Sequence, residues 1–294
     1  MIDKLMLDNV SLVTSFNKRI FETDDQKIFH DVKEKYPEVE FYVYHENSFE
    51  KRNHNVEIDF TGEERDTLNL LDLFEVYEDD WLYNFLQTSP FSTCHEIGKP
   101  GCSPDGSSNE YWNRNSIYWF RKVAAINHCV DITTKPYLVW VGADTQFRED
   151  KDHPNGFDKL FFDYVSNFDS SVITRPGMAI DAEIMVFNLE KNGKDVVKKW
   201  FEYYTSLRAF DEFRWDDGYI LTLLVDQLKK EGYTFGSLRH GFDQNVYRYV
   251  RHFKGPLLKV RDMERGISTG LKTFPVVSPF TNIRNFTGST LTGN

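Results

Sequence analysis

The run Tyr137-Leu-Val-Trp-Val-Gly-Ala-Asp144-Thr145 constrains the fold more than any other stretch of this chain: five apolar residues that end abruptly in a carboxylate. A strand buried on both faces reads as a continuous apolar run and not as an alternation. In open α/β sheets ligands bind outside the carboxyl ends of such strands, so Asp144 is expected at the mouth of a crevice. Taken alone, an Asp at that position also serves to turn the chain or to cap the next helix. The rest of the chain decides between the two.

At 294 residues, with 40% hydrophobic and 16% aromatic content, the chain is long enough to bury a substantial core, and its composition is that of a globular protein. No apolar run approaches the roughly 20 residues of a membrane helix, and Met1-Ile-Asp-Lys-Leu-Met-Leu-Asp lacks the apolar core of a signal peptide. A cytoplasmic protein without stable membrane insertion is expected. Cys94, Cys102 and Cys129 form neither a zinc spacing nor a disulfide framework, which fits a reducing compartment. The net charge of −11 opposes broad nonspecific attraction to nucleic acid or anionic lipid, while leaving room for a local basic groove.

Strand-like and helix-like segments alternate, the pattern of a sheet covered by helices. Ser11–Phe16 and Glu40–Tyr44 read as strands with a helix over Thr23–Lys35 between them. Glu63–Gln87 reads as a helix with Leu68, Leu70, Leu71, Leu73 and Phe74 on a broad apolar face, and Asn115–Cys129 as another. Thr93–Asn109 turns to His, Gly, Pro, Ser and Asp and reads as a mobile loop able to close over substrate. Further helices are expected over Phe157–Asn167, Lys194–Ser206 and Asp217–Lys230, with strands at Ser171–Thr174 and Ile184–Asn188. No disordered linker divides the chain. Tyr111 and Trp112, at the end of the loop, are the aromatics best placed for carbohydrate contact.

Four segments then line up in order: Val139-Trp-Val-Gly-Ala-Asp144-Thr preceded by Tyr118-Trp-Phe-Arg-Lys122; Ile180-Asp-Ala-Glu-Ile-Met-Val-Phe-Asn188; Trp215-Asp-Asp-Gly-Tyr219; and His252-Phe-Lys-Gly255-Pro-Leu-Leu-Lys259. Their order resembles that of nucleotide-sugar glycosyltransferases with the glycosyltransferase A fold, in particular family 8 and related galactosyl- and mannosyltransferase-like families. The first segment is similar to the region of an Asp-x-Asp motif, and the last to a His-x-x-Gly-x-x-Lys signature. The resemblance implies a single α/β domain over residues 1–294 with a Rossmann-like mixed sheet flanked by helices. Its nucleotide-binding part would cover about the first 150 residues and its acceptor part the remainder.

The same resemblance implies transfer of a sugar from a nucleoside diphosphate sugar, a UDP-sugar favoured, to an acceptor hydroxyl with retention. Cleaving the sugar–phosphate bond leaves concentrated negative charge, which a divalent cation and basic side chains stabilise. Mn²⁺ or Mg²⁺ is the implied cofactor, with Asp144 and His252 as its ligands and the diphosphate completing the shell. Lys254, Gly255 and Lys259 would receive the phosphates, with Arg121 and Lys122 in reach of the same anion. Thr14, Ser15 and Asn17 would lie by the base, with Tyr44 to stack on it and Glu46 to hold a ribose hydroxyl or a base N–H. Asp181 or Glu183 would orient sugar hydroxyls, and Asp217 would bind or polarise the acceptor unless it is a helix cap, a role that Asp216 could take instead.

The chain departs from that pattern at one point, because Gly142 stands where the first carboxylate of Asp-x-Asp belongs. Asp144 and His252 suffice with water, or another acid such as Asp181 or Glu183 substitutes, or basic residues replace the metal. The acceptor is left open between a glycan or lipopolysaccharide and a hydroxylated base in phage-type DNA. An alternative of a different class is a catalytically impaired nucleotide-sugar or carbohydrate binding protein.

Overall fold

The structure is a computed structural model that describes residues 9–22, 32, 38–94, 109–147, 164–175, 177–240, 244–246 and 250–252. In chain order its strands are β1 (Val10–Ser15), β2 (Glu40–His45), β3 (Asn69–Asp72), β4 (Tyr137–Val141), β5 (Thr145–Phe147), β6 (Ser170–Ile173), β7 (Asp181–Asn188), β8 (Phe235–Ser237), β9 (Arg239–His240), β10 (Gln244–Asn245) and β11 (Val250–His252). The α-helices are α1 (Lys18–Glu22), α2 (Asn47–His54), α3 (Gly62–Thr67), α4 (Trp81–Thr88), α5 (Asn109–Ile132), α6 (Gly193–Thr205) and α7 (Asp217–Lys230). Seven strands make one mixed sheet in the order β3-β2-β1-β4-β7-β6-β8. The first four are parallel, β7 is antiparallel to both β4 and β6, and β8 is parallel to β6.

Sequence patterning accounts for this arrangement. All five residues of β4 are buried, as are the first five of β1, because both faces of the sheet are covered. Val13, Tyr44, Trp140, Met185 and Phe187 face Phe120 of α5, Trp200 of α6 and Leu224 of α7 in one apolar layer. Leu12, Phe41, Val139, Val141, Ile184 and Val186 face the other way, towards Phe16, Ile58 and Phe60. Helix α6 buries Val196, Val197, Trp200, Tyr203 and Tyr204 at helical spacing. Burying each large side chain of that kind contributes about 1.5–3 kcal/mol.

The segment expected as one helix over Glu63–Gln87 is instead broken into three pieces. Helix α3 opens on a capping box, Thr61 accepting from Glu64 N and the Glu64 carboxylate accepting from Thr61 N, and it stops at Leu68, which is extended. The leucines then alternate across a strand: Leu70 packs on one apolar layer and Leu71 on the other, while β3 pairs with the outer edge of β2. Asp72 ends the strand by accepting from Ser48 N at 2.7 Å and Phe74 N at 2.9 Å. Asp79 and Asp80 lie in the left-handed region at φ 54° and 55° before α4 begins. The exposed edge of β2 decided the outcome, since five leucine- and phenylalanine-type residues satisfy either period.

Other boundaries moved less. Helix α5 extends the expected Asn115–Cys129 segment at both ends, and β7 begins at Asp181, earlier than the expected Ile184. Of the helix expected over Phe157–Asn167, the described part is a short 3₁₀ turn, Val165–Asn167. The helix expected over Thr23–Lys35 and most of the loop over Thr93–Asn109 lie outside the described residues. Among the described residues no helix is long and apolar enough to cross a membrane.

Candidate active site at the carboxyl end of strand β4

Strand β4 ends at Val141, and Gly142 N donates to Glu183 O at 2.9 Å, which carries the antiparallel pairing with β7 one residue further. A tight turn follows, with Thr145 N donating to Gly142 O at 3.0 Å and Asp144 half-buried within it. Beyond the turn, β5 pairs with β11 in the register Thr145↔His252, Gln146↔Arg251 and Phe147↔Val250. The backbone of His252 is therefore one residue out of register from Asp144, though the two are far apart in sequence. Nothing in the local sequence of either residue encodes that pairing.

Because β7 runs against β4, its first residues lie at the same end of the sheet as the turn. Asp181 is buried, with Arg175 Nη1 at 3.4 Å from its Oδ2. Arg175 also donates from Nε and Nη2 to Ala179 O, so it braces the connection into β7. The Glu183 carboxylate accepts from Thr145 Oγ1 at 2.5 Å and lies over Gly142. A Cβ at residue 142 would fall well inside contact with Glu183 Oε1 and Cδ, so any side chain there would displace the Glu183 carboxylate.

Helix α7 points its N-terminus at this cluster. Asp216 is the N-cap, its Oδ2 accepting from Tyr219 N at 3.2 Å and its Oδ1 from Arg214 Nε at 2.7 Å. That leaves Asp217 to face Lys122 of α5, with Nζ and Oδ2 2.5 Å apart. Lys122 also donates to Ala182 O at 3.0 Å and lies over the Trp140 ring, 5.5 Å from its centroid. Gly218 lets α7 approach β7, since a Cβ there would meet Ile180 O. Burial works to lower the Lys122 pKa, but the negative charge of Asp217, Glu183 and Asp181 outweighs it and raises the ammonium above its ordinary value. Burial pushes the Asp217 carboxyl up. The Lys122 ammonium, 2.5 Å from Oδ2, opposes that shift.

Several residues expected at the nucleotide are placed in the core. Tyr44 is fully buried, its hydroxyl 2.7 Å from His128 Nδ1, and cannot stack on a base. Glu46 and Arg121 are each 4% exposed and form a 2.6 Å ion pair, with the guanidinium stacked on Phe49 at 4.1 Å. The pair joins α5 to the start of α2, in a setting different from the expected contact with ribose and diphosphate. Burial pushes Glu46 upward against the pull of Arg121.

The remaining expected residues are distributed between the sheet and the undescribed C-terminal part. Thr14 is buried on β1, and among the described residues its Oγ1 has no hydrogen-bond partner. Ser15 is half-buried at the end of the same strand. Asn17 accepts from Ile20 N in the first turn of α1, a helix-start role. Trp112 packs at a tilt against Trp119 and is covered by Arg214 at 4.0 Å. Lys254, Gly255 and Lys259 lie outside the described residues. Sequence reasoning missed Thr145 and Arg175, and the only local signal for either was its position beside an acid-bearing strand end.

Among the described residues no group of three or more His, Cys, Asp or Glu side chains forms a closed metal shell. Mg²⁺-type ions do not need one, being held through one or two carboxylates with substrate phosphates completing the coordination. Asp144 and Glu183, on neighbouring elements at one strand end, are donors of that kind.

Fold and site together define an α/β protein with acids and one half-buried lysine gathered at the carboxyl end of a central parallel strand, where such sheets bind ligands. Among solved structures the chain is similar to a glycosyltransferase involved in the glycosylation of the major capsid of PBCV-1, with 10% identity and a TM-score of 0.46 over 87% of this chain and 99% of that one. It is also similar to mouse xyloside xylosyltransferase 1, with 10% identity and a TM-score of 0.44 over 83% and 97%. A third is a mannosyltransferase from Pyrobaculum calidifontis in complex with GDP-mannose and Mn²⁺, with 12% identity and a TM-score of 0.37 over 78% of this chain and 54% of that one. No protein-family model matches the chain, and no curated protein does.

Proposed function

We propose that this protein transfers a glycosyl group from a nucleoside diphosphate sugar, a UDP-sugar by preference, to an acceptor hydroxyl. The observation that carries the reading is the convergence at the end of β4, where Glu183 and Asp181 lie near a lysine ion-paired to Asp217, Asp144 stands in the turn that follows the strand, and the β5–β11 register brings the His252 backbone alongside.

Each residue then has a task that its surroundings fit. A divalent cation, when bound, would neutralise the departing diphosphate. Asp144 and His252 would hold it, with Lys254 and Lys259 contributing positive charge to the phosphates. Asp181, fixed by Arg175, would accept hydrogen bonds from sugar hydroxyls. Asp217, ion-paired to Lys122, would accept one from the acceptor and orient its oxygen. In a retaining, front-face transfer the bond from the anomeric carbon to the phosphate oxygen breaks as the bond to the acceptor oxygen forms. The acceptor proton passes to the leaving phosphate oxygen. The charge of −11 opposes unaided binding to duplex DNA, so a glycan acceptor is favoured over a modified base.

The test is a melting-temperature screen of UDP- and GDP-sugars with and without Mn²⁺, with nucleotide release measured in parallel. A donor-specific rise lost in both Asp144→Ala and His252→Ala, together with slow release of nucleoside diphosphate, is expected. A rise with no release would establish the binding-protein alternative, and neither would end the reading.

A further inference from the structure

We infer that Glu183 supplies, from the facing strand, the metal-binding carboxylate that residue 142 lacks. This rests on the reading of the site as a diphosphate–metal centre. Gly142 and Glu183 are opposite one another across β4 and β7, joined by the hydrogen bond from Gly142 N to Glu183 O. The Glu183 side chain does not extend away from the sheet. It folds back over Gly142, so that both its Oε atoms and Cδ occupy the space a Cβ at 142 would enter. Thr145, the residue after Asp144, donates its hydroxyl to Glu183 Oε1 at 2.5 Å and fixes the carboxylate beside the turn. The volume of one missing acid is thus filled by another acid, in a position that a side chain at 142 would displace.

The chemistry is that of a hard-cation site. Two carboxylates from adjoining elements, completed by phosphate oxygens, match the donor set of Mg²⁺ or Mn²⁺. Glu183 therefore lies between a cation already built into the fold, Lys122, and the position of the second.

The experiment is an exchange of the two residues. Mn²⁺ is titrated into the protein with and without UDP, with bound metal read from the loss of the free-ion electron paramagnetic resonance signal. Melting temperature is recorded alongside. Glu183→Gln is expected to weaken Mn²⁺ binding by about tenfold or more, the lower range seen when even an outer-shell partner of a metal site is lost. Gly142→Asp alone should lower the melting temperature, because the new side chain collides with Glu183. The double variant Gly142→Asp/Glu183→Gly should recover both the melting temperature and Mn²⁺ affinity to within a few-fold of the parent. Unchanged Mn²⁺ affinity in Glu183→Gln, with loss in Asp144→Asn, would overturn the inference and leave the proposed function standing. A folded double variant that fails to recover Mn²⁺ would likewise overturn it. A parent protein that binds neither Mn²⁺ nor UDP would remove the proposed function and this inference together.

Discussion

Lys122 and Asp217 meet at 2.5 Å between the middle of α5 and the first turn of α7, and the same ammonium reaches the backbone of β7 at Ala182. One half-buried cation therefore ties together three of the elements around the site. Removing it leaves a carboxylate without compensation in a place water reaches poorly. Lys122→Met is expected to cost about 3–5 kcal/mol in urea unfolding, the range for breaking a buried pair from one side. Lys122→Met/Asp217→Leu should recover most of it, and a double variant as unstable as the single one would show that the pair is not the source.

The two neighbouring acids at the start of α7 should separate cleanly. Asp216 caps the helix, so Asp216→Ala is expected to lower stability by about 1 kcal/mol while turnover per folded molecule is retained. Asp217→Asn keeps the cap and should instead lower kcat. Steady-state kinetics on protein corrected for its folded fraction would expose an exchange of these roles.

Arg121 is predicted to matter for folding and not for the nucleotide. Its guanidinium is paired with Glu46 and stacked on Phe49, so Arg121→Met should cost about 3–5 kcal/mol by stranding Glu46. Nucleotide affinity of the folded fraction, measured by calorimetry, should stay within a few-fold of the parent. A selective loss of affinity at unchanged stability would return Arg121 to the diphosphate.

Asp169 carries the acid limb of stability. It accepts from Thr234 N and Oγ1 at 2.7 and 2.9 Å and from Asn192 N and Nδ2 at 3.2 and 3.0 Å, locking the entries to β6, β8 and α6 together. Burial works to raise its pKa, and those hydrogen bonds outweigh it, so the folded carboxyl titrates below the ordinary 3.8. A depressed carboxyl stabilises the fold fully above the unfolded value and loses that contribution as pH falls through the folded one. Asp169→Asn should therefore cost about 2 kcal/mol at pH 7. The gap between parent and variant should shrink below about pH 4 in denaturant titrations, and a constant gap would mean that the charge is not what matters.

The site was legible where chemistry and position coincide in one segment. Asp144 at the end of β4, Asp181 and Glu183 by β7, and Asp217 with Asp216 as its capping neighbour can all be picked out as acids beside apolar runs. Their partners could not be. Tyr44, Glu46 and Arg121 have the residue types of a nucleotide site, yet packing between α2, α5 and the sheet buries all three. Residue type states what a side chain can do, and burial decides whether a ligand can reach it.

By itself the sequence determined the elements that a strong local period or a cap enforces: the buried strands β1 and β4, the helices α5, α6 and α7, and an acid at the tip of β4. The tertiary structure alone decided that the leucines after Thr67 form an edge strand, because pairing with β2 satisfies its open edge. It decided equally that β5 and β11 pair beside Asp144, and that Glu183 folds over Gly142. Such outcomes depend on hydrogen-bond register and on atoms competing for one volume, and neither quantity exists until distant segments are brought together.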